Sequence, residues 1–546
     1  MLFILLTTII IIPTLLGWGK FLEGTFKAKI FEGISGQLTS GIFGICVIWT
    51  ILAFFIPLNL NVEIPTILFG LFCFFKEKLY LKIYKFTKEN YVLSAITSAI
   101  IIFCSSFYPY ILDHFGYYLP SIEWLKQYGL VKGISNLDLV LGQMSLWHIF
   151  QAGFSSFADP FLRINAVLLI IYSIYIIEKK SWLQLCFLPI LLLFSQSPSP
   201  DLPVIIFSLI LLNEILSGDK NTRFIFAFSL FIFAIKPTMI WLPILSLLYS
   251  VFIIKSTLKT LIPGIFILLL FFMKNIWTFG YPIFPVPVID FGFIWKPDAE
   301  LLKSSSEYAL QKTYDNQHTF AEIQKFSALD YIKNWLFLDG IKSVINIAFV
   351  LSLVIFTVFT FIKKNKIITF ICISLIIKSV LVLLFSAQYR FFIDVFFVII
   401  FVIFYTYFNQ KKSILIFSFL SIIVIGFMTF PTVLVKFIPS YRMLSFMGKF
   451  EEKQWYKPSI YEYKKFHSFE VGNLNFNVSE KYPFNFDTPV PAISASFVFD
   501  YQKAGIFPQL IDKNNMRKGF VSKKMTLQEQ KQVKKITEEI KKQYKF

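Results

Sequence analysis

The sequence predicts an all-α fold: a polytopic bundle of about 12–14 membrane-crossing helices followed by a small soluble C-terminal domain. Three observations carry that expectation. First, of 546 residues 56% are hydrophobic, 19% aromatic and only 16% charged, and the mean hydropathy is +0.67, whereas soluble domains carry about 25% charged residues. Second, apolar runs close to the ~20 residues that span a bilayer core recur along the chain. Third, the cations sit in short clusters between those runs. The net charge of +19 therefore reads as positive loops held on one side of a membrane, and not as a nucleic-acid surface. A water-soluble globule, a disordered chain and a disulfide scaffold are excluded.

Apolar runs read against their breakers give candidate spans at 2–18, 37–57, 62–75, 91–110, 161–177, 182–195, 202–216, 223–235, 237–253, 259–273, 341–362, 367–386, 391–408 and 412–430. Several hold only ~13–15 residues, short for an upright helix across ~30 Å of hydrocarbon, and fit broken or re-entrant helices. Leu2–Leu16 has no Lys or Arg before it and no clear cleavage site after it, so it reads as a first span and not as a leader. If the chain starts outside, seven alternate connections hold the cations Lys20, Lys27, Lys29; Lys76, Lys78, Lys82, Lys85, Lys88; Lys179, Lys180; Lys220, Arg223; Lys255, Lys259; Lys363, Lys364, Lys366; and Lys411, Lys412. The opposite connections near 58–63 and 196–201 hold none, and 111–160 has only Lys126 and Lys132. That sign bias fixes an orientation with the cations in the cytoplasm of a bacterial inner membrane.

Residues 1–430 thus form the expected transmembrane bundle, with long extracytoplasmic loops at about 111–160 and 274–340; loops of this length are usually functional. In the first, Pro120 opens a helical stretch stopped by Gly129, and a second stretch runs from about Asp138 to Gly153. Both resemble helices lying at the membrane surface. Residues 431–546, rich in Lys, Glu, Asn, Tyr and Pro, form the expected soluble domain, extracytoplasmic by span parity, and Thr526–Lys545 has a charged helical pattern. Cys46, Cys73, Cys104, Cys186 and Cys372 lie in apolar stretches without metal-ligand spacing and read as small buried residues.

Ionisable groups near apolar runs are costly there and mark candidate sites. Asp113 and His114 follow the fourth span with Tyr117 and Tyr118; Asp201 follows Ser197-Pro198-Ser199-Pro200; Lys236 precedes Pro237; Lys274-Asn275 ends the tenth span, with Tyr281 beyond it; Arg390 precedes the thirteenth. All map to the outer side. His148 reads as a buried histidine, and Lys378 with Asp394 as a candidate intramembrane pair. Each outer residue also has a structural alternative: Asp113 and Asp201 as helix caps, Lys236 as a snorkelling lysine, Arg390 as an interface anchor. Motifs for nucleotide-driven work, metalloproteolysis and serine hydrolysis are missing from the sequence. A carboxylate near tyrosines, with Arg and Lys able to hold phosphate, suits glycosyl transfer from a lipid phosphate, where the acid takes the acceptor proton and the cations receive the leaving phosphate.

The stretch Leu112-Asp113-His114-Phe115-Gly116-Tyr117-Tyr118-Leu119, followed by Trp124 and Tyr128-Gly129-Leu130-Val131-Lys132-Gly133-Ile134-Ser135-Asn136-Leu137, resembles a family of uncharacterised bacterial polytopic membrane proteins. Ser197-Pro198-Ser199-Pro200-Asp201, Ile235-Lys236-Pro237-Thr238, Lys274-Asn275 with Gly280-Tyr281-Pro282, and Tyr389-Arg390-Phe391 are similar to further pieces of it, in order. That family in turn resembles the GT-C superfamily of integral membrane glycosyltransferases. The resemblance implies Asp113 as catalytic base. It implies a polyprenyl-phosphate-linked sugar as donor, a cell-envelope glycan or lipid as acceptor, and substrate binding by His114, Tyr117, Tyr118, Asp201, Lys236, Lys274, Asn275, Tyr281 and Arg390. No cofactor is required: Asp113 could hold Mg²⁺ or another divalent cation, or act alone. The rival expectations are a flippase or transporter for a lipid-linked glycan, a polymerase or ligase of such glycans, and a structural membrane subunit.

Overall fold

The computed structural model describes residues 1–26, 29–432 and 449–544. Lys27, counted among the inner cations, and the border of the expected tail at 433–448 lie outside the described residues, as does Lys545. Helix α1 (Leu2–Phe26) packs against α2 (Ile34–Ala53) and α3 (Leu60–Lys76). Glycines set how closely they approach. A Cβ on Gly19 would lie 1.9 Å from the Gln37 carbonyl, and one on Gly17 1.8 Å from the Gly70 carbonyl, so backbone meets backbone as small residues permit in apolar bundles. Helix α4 (Leu79–Ser105) begins well before the expected 91 and kinks at Asn90.

Among the described residues, six helices are long and apolar enough to cross a membrane: Leu2–Phe26, Ile34–Ala53, Leu258–Phe279, Ile341–Lys363, Lys366–Phe385 and Gln410–Thr429. The shorter runs resolve differently. The 182–195 run breaks into Trp182–Leu185, Leu188–Leu191 and a 3-10 turn Leu192–Phe194, because Pro189 cannot extend the preceding turn. At 237–253 a 3-10 turn leads into Trp241–Leu248 and then a π turn, Tyr249–Ile253. Along Ile341–Lys363 the side chains of Leu351, Val354, Ile355, Phe361 and Ile362 are exposed, a face that hydrocarbon would solvate and water would not.

Much of the first long loop is buried. A π turn (His114–Tyr118) runs into α5 (Leu119–Tyr128), which stops at Gly129 with φ 76. A 3-10 turn (Leu139–Gln143) precedes α6 (Leu146–Gly153), all of whose residues are buried. The second of the expected interfacial helices therefore lies inside the protein, wedged under α2, while α5 keeps a partly exposed face at Glu123, Lys126 and Gln127; a Cβ on Gly153 would strike the Trp49 ring at 2.2 Å. Glu63 of α3 secures the loop by accepting from the backbone N–H groups of Ser156 (3.0 Å), Phe157 (2.9 Å) and Ala158 (2.7 Å). Arg163 donates to the carbonyls of Ser105 (2.8 Å), Phe161 (2.6 Å) and Ser459 (2.8 Å). Helix α7 (Ile164–Lys179) follows.

The all-α expectation fails in the tail. Strands β1 (Phe466–Val471) and β2 (Leu474–Ser479) form one antiparallel pair, and β3 (Ile506–Leu510) and β4 (Phe520–Lys524) a second. Leu474, Phe476 and Val478 alternate inward, as a half-buried strand requires. Helices Ala495–Ala504 and Leu527–Tyr544 complete it. The tail is docked on the first loop. Ser459 N–H donates to Ser106 O (2.8 Å), Phe486 N–H to Phe115 O (3.0 Å), Tyr501 OH to Asn136 O (2.6 Å) and Phe520 N–H to Lys132 O (3.0 Å). The lysine-bearing connections gather at the other end of α4 and α7, where Asn221 donates to Lys29 O (2.5 Å), Thr222 bonds Ser256 (2.7 Å) and Lys179 pairs with Glu214 (3.3 Å).

Candidate functional site

The sequence builds the site from chain breaks. Pro237 ends the helix Thr222–Ile235, so Lys236 turns out of it in extended conformation (φ −148°, ψ 111°). Two prolines place Asp201 at the first turn of Asp201–Leu216, where an acid suits the helix dipole. Lys366–Phe385 ends before a 3-10 turn, Tyr389–Phe391, that carries Arg390. Asp113 heads the π turn after α4.

These four charges, distant in sequence, meet. Arg390 Nη1 donates to Asp113 Oδ2 at 2.6 Å. Lys236 pairs with Asp201 and also donates to the Arg390 carbonyl at 3.3 Å. Both cations lie against the Phe391 ring, Lys236 at 5.2 Å and Arg390 at 5.1 Å, which adds cation–π attraction. Ser199 Oγ donates to Asp201 Oδ2 (3.2 Å) and Tyr118 OH to Ser199 Oγ (3.4 Å), while His114 Nδ1 bonds Ser197 Oγ (3.1 Å). Asn165 holds this serine-proline loop by donating to the carbonyls of Phe194 (2.9 Å), Ser197 (2.6 Å) and Ser199 (3.1 Å). Tyr117 and Tyr118 pack edge to face at 4.6 Å, with His148 4.9 Å from Tyr118.

Burial grades the charges. Side-chain exposure is 38% for Arg390 and 30% for Asp113, 10% for Lys236 and 16% for Asp201, and 0% for Lys378 and 4% for Asp394, which pair behind them. Only the first pair is openly reachable by a ligand. Arg390 spends Nη1 on Asp113 and leaves Nε without a partner among the described residues, so donors remain for a second anion. Burial draws the Arg390 guanidinium down, but Asp113, Tyr117 and Asp201 more than offset it and the net shift is upward. Burial, then the charges of Arg163 and His148, lower His114 to about 3; burial and then Lys274 lower His148 to about 3. Both imidazoles are neutral at pH 7.

Lys274, Asn275 and Tyr281 lie apart from this cluster. Lys274 is buried and donates to the carbonyls of Gln143 (2.6 Å) and Met144 (3.1 Å), closing the break before α6. Asn275 Nδ2 donates to Pro282 O (2.7 Å), and Tyr281 packs with Leu139 and Phe279. Sequence reasoning missed Lys312, on Ala299–Thr313, which is lowered by burial and by the nearby Arg390 and raised by Asp113. It also left out Ser197 and Ser199 as individual contributors. Nothing local marks Lys312, since a lysine on a polar helix is ordinarily solvated. Among the described residues no three His, Cys, Asp or Glu side chains assemble as metal ligands; the carboxylates of Asp113 and Asp201 face cations instead.

Fold and site together define a predominantly helical protein with six helices of membrane-crossing length and composition among the described residues, and a cluster of paired charges at one end. The chain belongs to the family described as a domain of unknown function (DUF8201), whose model matches residues 1–397 and so includes Asp113, Asp201, Lys236 and Arg390. No curated protein and no solved structure matches the chain.

Proposed function

We propose that this chain is a multi-pass inner-membrane glycosyltransferase of GT-C type, which transfers a sugar from a polyprenyl-phosphate donor to a cell-envelope glycan or lipid acceptor on the extracytoplasmic side. The observation that carries the reading is the meeting of Asp113, Asp201, Lys236 and Arg390 in one cluster, at the end of the bundle away from the lysine-bearing connections. The docked tail, on the same end as the cluster, supports an extracytoplasmic C-terminal region.

In this reaction the donor phosphate takes over the free donors of Arg390, with Lys236 behind it. Arg390 then relaxes its hold on Asp113, and the freed carboxylate accepts the acceptor hydroxyl proton. The acceptor oxygen bonds to the sugar anomeric carbon as the bond from that carbon to phosphate oxygen breaks, and the electron pair leaves on the lipid phosphate, facing cations. Tyr117 and Tyr118 offer aromatic walls for the sugar. General-base loss of this kind costs about 10²–10⁴-fold. Asp113→Asn is expected to lower sugar transfer in washed membranes by at least ~10²-fold while the protein still inserts; full surface-glycan complementation by that variant would overturn the assignment.

A second reading, carriage of a lipid-linked glycan across the membrane, is favoured by the fully buried Lys378–Asp394 pair, whose Asp394 also accepts from Trp241 Nε1 at 3.1 Å. Buried pairs of this kind line ion and substrate paths in transporters. Transport moves the donor without a new glycosidic bond, so product analysis separates the two readings.

A further inference from the structure

At the far end of α4 and α7 from Asp113, the structure holds a cavity of about 550 Å³ lined by Glu23, Gln37, Lys82, Lys85, Glu89 and Lys180, among others. Two of its four acids are committed, while Glu89 stands exposed at the rim. Glu178 accepts from the Ile34 (2.7 Å) and Ser35 (3.0 Å) backbone N–H groups and from Ser35 Oγ, and Glu32 is paired with Lys29 at 2.7 Å. Three of its four cations are free: among the described residues Lys82, Lys85 and Lys180 form no ion pair, and all three are exposed at the cavity. At the base stands Glu23, 7% exposed. Its Oε2 accepts from Gln37 Nε2 at 3.0 Å, but Glu23 Oε1 and Gln37 Oε1 are buried acceptors without a partner among the described residues. Unmet buried acceptors cost free energy unless a ligand or water supplies donors.

The two halves of the cavity ask for opposite things: free cations at the rim call for an anion, and free acceptors at the base call for O–H donors. A metal cation or an amine would satisfy the base but meet three lysines. We propose that this cavity binds a phosphate ester bearing free hydroxyl groups, its phosphate on Lys82, Lys85 and Lys180 and its hydroxyls donating to Glu23 and Gln37. That chemistry belongs both to the polyol headgroup of a membrane phospholipid and to a soluble polyol phosphate. The apolar lining of Ile34, Phe86 and Ile177 suits a ligand that continues into acyl chains. The site is separate from the Asp113 cluster and holds whether or not that cluster transfers sugar.

The full-length protein in neutral detergent would be titrated with glycerol 1-phosphate, with inorganic phosphate, and with mixed micelles containing phosphatidylglycerol or phosphatidylcholine. Saturable binding of phosphatidylglycerol with a preference over phosphatidylcholine is expected, or saturable binding of glycerol 1-phosphate if the soluble ester is the ligand. The exposed-residue variant Lys82→Ala/Lys85→Ala should weaken that binding at least ~10-fold with an unchanged melting temperature, since each lost charged contact costs about a factor of ten. Glu23→Leu should weaken the hydroxylated esters but not inorganic phosphate. Absence of saturable binding to both esters, or binding indifferent to Lys82→Ala/Lys85→Ala, would overturn the proposal.

Discussion

At Asp113 the carboxylate and its guanidinium partner hold each other in a one-point contact, Nη1 to Oδ2, and geometry decides what a change there does. Lysine at position 390 keeps the charge but loses the planar fork; Arg390→Lys is expected to lower transfer ~10-fold or more with little loss of thermal stability, measured on purified protein. Asp138 gives a pH prediction. It is buried between Ser494 (3.2 Å), Asn485 (3.3 Å) and the Val140 N–H (3.3 Å), and burial raises its carboxyl to about 7 against the bonds that lower it. A folded value above the unfolded one means the native state holds the proton longer. Its stabilising effect is then complete below about pH 4, falls away as pH rises toward 7, and changes no further above that. Docking of the tail on the loop should weaken between pH 5 and pH 7.5, by at most about 3 kcal/mol at ~1.4 kcal/mol per unit up to the folded value, read as faster limited proteolysis of the tail; Asp138→Asn should flatten the profile. Asp113, Asp201, Lys236 and Arg390 stood out in the sequence because charge beside apolar runs is rare. Lys274 gave the same signal for another reason. A lysine closing a helix break on two carbonyls is indistinguishable, in one dimension, from a lysine awaiting phosphate.

Helix contacts explain why some elements were legible and others were not. The six long apolar helices announce themselves by composition alone, whereas 182–195 shares that composition and is broken at Pro189, and 237–253 is a shorter apolar helix that Pro237 separates from the one before it. The hairpin β1–β2 had a readable turn, Gly472-Asn473, between alternating residues, but the polar make-up of the tail drew attention to its terminal helix instead. Close packing through glycine yields a sharp expectation. Gly19→Val should push α1 off α2 and destabilise the protein by about 3 kcal/mol or more, seen as a lower melting temperature in detergent, whereas Gly24→Ala, with open space around it, should be neutral. Glu63→Gln exchanges an acceptor oxygen for a donor facing the N–H groups of residues 156–158, and should cost about 1–3 kcal/mol and loosen that segment to hydrogen exchange.

Across the whole molecule, the alternation of charge along the sequence becomes a division in space, lysine-bearing connections at one end and the Asp113 cluster with the tail at the other. All five cysteines are buried, so single introduced cysteines report against a quiet background. Cysteines replacing Lys82 and Asn514 should react with a membrane-impermeant maleimide from opposite faces of sealed vesicles; labelling from the same face would contradict the two-ended arrangement. What one dimension could not disclose was that the tail completes the first loop, because each bond joins residues hundreds of positions apart. Arg163 turns that into a matter of timing. Its guanidinium, sealed among the carbonyls of Ser105, Phe161 and Ser459, is made some three hundred residues before its last acceptor leaves the ribosome. During biogenesis the nascent chain must therefore wait with this knot half tied, and the final latch can close only after Ser459 has emerged.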